Sequence, residues 1–199
     1  VLLPKVEMHN GDAFYQSKSY EVNEGIDLPR GFDGTNVKIG VMDSGLDVGL
    51  PDFLDENGNS RVVWGKNFVS GDMPDGQPYN PDDVTDYNAH GTHVTGTCCG
   101  SPIYDDDGNM ILTGMAPKSQ IHVFKIGHGS RFTGNAILGA MEASIDLNDD
   151  CGDDVTDLND SCFDDHLDVM NCSWGSSAEH PDDSYWTPML NDLLDVGVT

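Results

Sequence analysis

The chain has 199 residues, 37% of them hydrophobic, and carries 35 Asp and Glu against 9 Lys and Arg, a net charge of −26. So acidic a surface repels nucleic acid and anionic membranes, which argues against both as partners and leaves cations, cationic substrates or a saline setting. A mean hydropathy of −0.40 and the lack of any run of 18 apolar residues argue against a membrane span and suit one globular domain with a sizeable core.

Residues 1–36 read as an irregular lead-in, broken by Gly11, Gly25, Pro29, Gly31 and Gly34. A start at Val1 with no signal-peptide pattern predicts a processed chain or a piece of one. Val37–Met42 is a short apolar run, expected to be a buried strand that ends at Asp43-Ser44-Gly45. Residues 49–89 are rich in Asp, Gly, Pro and Asn and read as surface loops with one short strand over Arg61–Val69. A helix is predicted over 90–99, starting at His90. An acidic loop follows at Asp105–Asn109, and a second buried strand at Ile121–Ile126.

Thr133–Leu147 predicts a helix capped by Thr133, with Ile137, Ala140, Met141, Ser144 and Ile145 on one face. Residues 148–165 form an acidic insertion. Leu167–Cys172 reads as a third buried strand, ending at Ser173-Trp174-Gly175. Thr187-Pro188 is expected to open a last helix, with Leu190, Leu193 and Leu194 inward and Gly197 as its stop. Strands alternating with helices predict an α/β fold, a parallel sheet with helices on both faces. Val198-Thr199 stands where a further strand is due, so the sheet is expected to be incomplete at its C-terminal end.

Functional residues in such sheets gather beyond the carboxyl ends of the strands. Asp43 is at such an end, and His90 opens a helix in Asn88-Ala89-His90-Gly91-Thr92-His93-Val94-Thr95-Gly96-Thr97. A carboxylate accepting from one imidazole nitrogen fixes the tautomer and leaves the other nitrogen as a base toward a hydroxyl. Gly91 and Gly96 are expected to let this helix approach the sheet closely. His90, His93 and Cys98 or Cys99 match no ordinary zinc spacing.

Five segments in order resemble the subtilisin-like serine proteases, the subtilases: Val41-Met42-Asp43-Ser44-Gly45, Pro51-Asp52-Phe53, His90-Gly91-Thr92-His93, Gly114-Met115-Ala116-Pro117 and Asn171-Cys172-Ser173-Trp174-Gly175. The resemblance implies a subtilisin-like fold over 37–199, the N-terminal half of a catalytic domain, with Asp43 as triad acid, His90 as general base and His93 as structural. It also implies an extended peptide or protein substrate held between Ser173, Trp174, Gly175 and the facing segment of Gly127, Arg131 and Phe132. Trp174 stands where the family usually has Leu. The family's Gly-Thr-Ser-Met-Ala nucleophile motif and its Ala-Gly-Asn segment do not occur in these residues. The partner expected to supply the Ser is the C-terminal remainder of the same domain, and residues 1–199 alone are expected to be inactive. The alternative is a non-catalytic relative kept as an acidic calcium-binding scaffold.

By the same resemblance a structural calcium ion is expected at Asp105, Asp107 and Asn109 with Asp52, since all offer hard oxygen ligands. Cys151 and Cys162 lie in a polar segment and are expected to form a disulfide, which implies a secreted or extracellular setting. Cys98 and Cys99 are expected to be core thiols.

Overall fold

A computed structural model describes residues 14–69, 79–129, 131–147, 165–175 and 183–199. Its central sheet has four parallel strands: β1 (Lys38–Asp43), β2 (Val62–Asn67), β5 (Gln120–Lys125) and β8 (Val169–Asn171), ordered β2-β5-β1-β8. Two small antiparallel hairpins, β3 (Ile103–Tyr104) with β4 (Met110–Leu112) and β6 (Gly127–His128) with β7 (Arg131–Phe132), lie outside it. The helices are α1 (Ser19–Glu24), α2 (His90–Cys99), α3 (Gly134–Ile145) and α4 (Asp183–Val196). No helix among the described residues is long and apolar enough to cross a membrane.

Alternation along the strands builds two cores. Ile39 and Val41 of β1, with Ile121 and Val123 of β5, pack with Leu46, Phe53 and Cys99 on the α2 face. Met42, Phe124 and Ile126 point the other way and pack with Ala136, Ile137, Ala140, Met141 and Ile145 of α3 and Leu193 beneath α4. Side chains two apart share a face. Asp43 therefore continues the Ile39–Val41 row, on the side that α2 covers.

The expected parallel sheet with helices on both faces is the observed architecture. Thr133 caps α3 as expected, accepting from the Ala136 N–H at 3.3 Å. Three expectations are corrected. The lead-in is not wholly irregular: α1 lies between left-handed Lys18 and Gly25, and Asn23 anchors it by donating to the Met115 carbonyl at 3.1 Å. The last helix begins at Asp183, and Pro188 lies inside it. At this sixth helical position proline leaves out the bond that its amide would have given to the carbonyl four residues earlier, so the first turn and a half of the helix is held by one hydrogen bond fewer. Leu193 is buried in α4, but Leu190 and Leu194 are exposed; Met189 and Val196 complete the inner stripe instead. The helix is pinned in this rotation by its end: Gly197 has φ 98°, and Val198 donates back to the Leu193 carbonyl at 2.9 Å.

On the outer side of β8, Thr199 donates to Asp168 and accepts from Met170, at 3.1 and 2.8 Å. This is the pattern of a parallel pairing.

Candidate active site

β5 and β8 flank β1, so three chain segments leave the carboxyl end of the sheet side by side. From β1 comes Asp43-Ser44-Gly45; from β5, the β6–β7 hairpin; from β8, Cys172-Ser173-Trp174-Gly175. Helix α2 starts over the first of these. Gly45 has φ 117°, and a Cβ there would come within 2.4 Å of the Val84 carbonyl. A Cβ on Gly91 would lie 2.3 Å from the Gly45 carbonyl oxygen and 3.2 Å from Asp43 Cβ. Gly91 thus permits the close approach, as expected. Gly96 does not contribute: a Cβ there would meet nothing within 4 Å, because this helix position turns away from the sheet.

The approach brings the two named side chains together. His90 Nδ1 lies 2.8 Å from Asp43 Oδ1 and 3.0 Å from Oδ2. Asp43 is 1% exposed and also accepts from the Ser44 amide at 2.7 Å, while the His90 side chain is 49% exposed. An ionised carboxylate only accepts, so Nδ1 carries the proton, and the neutral ring presents its lone pair at Nε2.

Ala89, immediately before His90, has φ 71° and offers no side-chain cap to α2. The free amides at the helix start are met from elsewhere. Gly91 N–H donates to Ser44 Oγ at 3.0 Å, and Thr92 N–H donates to Asp86 at 2.8 Å. Asp86 was not legible as a site residue. Its signal was an Asp just upstream of a helix whose own N-cap, Ala89, cannot cap. Lys125 was also missed: it is fully buried, shares register with Asp43 and donates to the Thr85 carbonyl, its ammonium 4.5 Å from the Tyr87 ring centre.

Ser173 and Gly175 are exposed, and Ser173 Oγ donates to Asn171 at 2.7 Å. Trp174 is partly buried against the α3–α4 core, its indole N–H without a partner among the described residues. Gly127 is buried, Phe132 is 38% exposed, and the two pair across the hairpin, as do His128 and Arg131. Cys172 is exposed at the surface, but partial desolvation of its sulfur by neighbouring groups, then the Asp43 carboxylate, push its thiol up to about 11. His93 is exposed and lines a cleft with Leu50, Asp52, Phe53 and Leu112, away from the pair.

The Asp105–Asn109 loop, expected to hold calcium, is hydrogen-bonded within itself in this arrangement. Asp105 Oδ1 accepts from the amides of Asp107 and Asn109, at 3.0 and 2.7 Å, and Asn109 Nδ2 donates to Oδ2 at 3.0 Å. Hydrogen bonds from Asn109, first from its side chain and then from its backbone, hold the Asp105 carboxyl below its usual range. The loop thereby satisfies its own carboxylate and turns the β3–β4 hairpin, as Asp55 and Asn59 do elsewhere. No three His, Cys, Asp or Glu side chains among the described residues are grouped to hold a metal. At Asp52 it is the backbone carbonyl, not the carboxylate, that a cationic side chain holds. Arg61 is buried and donates to the carbonyls of Asp52 at 3.2 Å, Ser119 at 3.0 Å and Cys99, and to Ser101 Oγ at 2.9 Å. Cys98 and Cys99 are free thiols, as expected. Cys151 and Cys162 lie outside the described residues.

The family model of the subtilases matches residues 34–198. This chain belongs to the subtilase family. Among curated relatives, the major intracellular serine protease of Bacillus subtilis (strain 168) is 33% identical over 124 residues, 59% of this chain and 34% of the relative. Subtilisin DY of Bacillus licheniformis is 33% identical over 114 residues, 57% of this chain and 34% of the relative. The chain thus spans about a third of the length of these subtilases. Among solved structures, the Clostridium perfringens CspB protease superposes with a TM-score of 0.62 at 18% identity, covering 90% of this chain and 36% of that one. The nisin leader peptidase NisP of Lactococcus lactis gives 0.57 at 18% identity, covering 94% and 46%. At these identities the two structures establish the fold.

Proposed function

We propose that this chain supplies the acid and base of a serine endopeptidase, with Asp43 as the acid and His90 as the general base. The observation that carries the reading is the 2.8 Å bond from His90 Nδ1 to the buried Asp43, in a chain of the subtilase family. In the proposed reaction a serine hydroxyl from the remainder of the same domain gives its proton to His90 Nε2 and attacks a peptide carbonyl. His90 then returns the proton to the leaving amine, and Asp43 stabilises the imidazolium between the two steps. Ser44 is not the nucleophile, because its hydroxyl bridges Asp86 and the Gly91 amide. Ser173 follows the strand beside Asp43 and is read as part of the edge that pairs with an extended peptide, with Trp174 and Gly175. Gly127, Arg131 and Phe132 are read as the opposite wall, because β5 and β8 leave the sheet on either side of β1.

The test uses the complete protein and a serine-directed fluorophosphonate. Labelling is expected outside residues 1–199 and is expected to be lost in His90→Ala; Asp43→Asn should lower kcat by roughly 10⁴-fold. Absence of labelling in the folded complete protein would leave the scaffold reading in its place. A secreted setting with a Cys151–Cys162 disulfide belongs to the same proposal, against one relative named as intracellular. Peptide mapping of native material without reduction tests it, and two free thiols would reject it.

A further inference from the structure

Asp86 is the most heavily hydrogen-bonded carboxylate near the pair. Its Oδ1 accepts from Ser44 Oγ at 2.9 Å, the Asn88 amide at 2.9 Å and the Ala89 amide at 3.0 Å. Its Oδ2 accepts from the Thr92 amide at 2.8 Å and the Thr92 hydroxyl at 2.7 Å. These donors belong to three separate pieces of the site. Ser44 follows Asp43 at the end of β1, Asn88 and Ala89 form the approach to His90, and Thr92 lies in the first turn of α2. Each is itself tied further: Ser44 Oγ accepts from the Gly91 amide, Thr92 Oγ1 accepts from the Asp47 amide at 3.0 Å, and Asn88 Nδ2 donates to the Gly129 carbonyl at 2.6 Å.

We infer that Asp86 is a positioning residue for His90, its carboxylate clamping the turn after Asp43 to the first turn of α2 so that the imidazole is held on Asp43. The need for it follows from Ala89. That residue holds a left-handed conformation with no capping side chain, so nothing of its own fixes the helix start on which His90 sits. An anion among helix N-terminal amides is stabilised there. Burial works against the charge of Asp86, but the hydrogen bonds from Thr92, Asn88 and Ser44 outweigh it and keep its carboxyl below the usual range. Both oxygens face backbone amides, so an acceptor is required at each. Asparagine cannot supply this, since either orientation of its amide sets an N–H against an N–H.

The test is Asp86→Asn. The first readout is the His90 Nδ1–H proton in the NMR spectrum of the complete protein, which reports the bond to Asp43 whether or not the protein is active. Cooperative unfolding of each sample establishes that it is folded. Exchange of this proton with water is expected to be at least roughly tenfold faster in Asp86→Asn. In Asp33→Asn, which breaks an ion pair with Lys118 ahead of the opposite, amino-terminal end of the sheet, it is expected to be unchanged. The second readout, in the complete protein, rests on the function proposed above: kcat is expected to fall roughly 10- to 100-fold with KM little changed, and Asp86→Glu to recover part of it. If the complete protein proves inactive, the first readout still decides. Should Asp86→Asn not fold, Ser44→Ala removes one arm of the clamp and is read the same way. An Nδ1–H exchange rate in a folded Asp86 or Ser44 variant equal to that of the unsubstituted chain overturns the inference.

Discussion

Ala89 holds φ 71° immediately before the base, in a region that costs a residue with a Cβ roughly 1–2 kcal/mol and glycine much less. Ala89→Gly is therefore expected to raise stability by about 1 kcal/mol in urea unfolding, with the His90–Asp43 bond kept. A lower midpoint would show that the alanine Cβ makes up for its own strain. A second residue, His122, is buried on β5, and its ring centroid is 6.4 Å from that of Trp64 on β2. Burial first, and then the nearby Lys38, push its pKa from 6.5 down to about 4. Between those values the unfolded chain takes up a proton that the folded one refuses, so stability falls as pH drops from 6.5 toward 4 and levels below. A loss on the order of a few kcal/mol is expected over that window, flattened in His122→Leu. Asp33, held at about 2 against burial by Lys118 and Thr35, contributes its own loss only below its ordinary 3.8. If the urea midpoints of both proteins follow the same curve between pH 6.5 and 4, His122 is not the cause. Asp43 and His90 were legible because each stands in a short motif with a chemical reason for its residue types. Asp86 was not, because its partners are mostly backbone amides, which leave no trace in the spacing of side chains.

The packing of α2 on the end of β1 rests on the absence of one methyl group. In Gly91→Ala the new Cβ would lie 2.3 Å from a backbone oxygen, which cannot rotate away. A loss of roughly 1–3 kcal/mol is expected, with the His90–Asp43 bond broken. Gly96→Ala on the same helix meets open space and should be neutral or stabilising by up to about 1 kcal/mol. Thermal unfolding of the two variants separates these outcomes, and equal losses would refute the account. Arg61 gives a second contrast. Its guanidinium joins the Asp52 turn, the end of α2 and the start of β5. Arg61→Met strands those carbonyls and should lower the melting temperature sharply, whereas chelator treatment of the unsubstituted chain should leave it unchanged. A chelator-sensitive melting temperature would support the calcium expectation. Motifs made the strands and α2 legible, but α1 and the start of α4 were obscured by local signals. The run of glycines and a proline at 25–34 hid a six-residue helix just before it. Pro188 read as a first residue because its missing donor is most often found there.

At the scale of the whole molecule, 35 carboxylates face 9 basic residues. Among the described residues Lys118 forms an ion pair with Asp33 at 2.8 Å. That pair is largely exposed and contributes little, and 9 basic residues cannot neutralise 35 carboxylates, so salt has more repulsion to screen than attraction to weaken. The melting temperature is expected to rise between about 0.1 and 1 M sodium chloride, where the Debye length falls from roughly 10 to 3 Å. A fall over that range would contradict the repulsion argument.

The alternation that sends Ile39 and Val41 to one core and Met42 to the other also carries Asp43 to α2, and this makes the position of the acid a matter of parity. Lengthening or shortening β1 by two residues moves the carboxylate along the strand but leaves it on the helix side. A change of one inverts the whole row, sends the acid into the α3–α4 core and turns Met42 toward His90. Chimeras that exchange this strand with that of another subtilase are therefore constrained in phase before they are constrained in sequence. A splice that keeps every residue type but slips by one has lost the site.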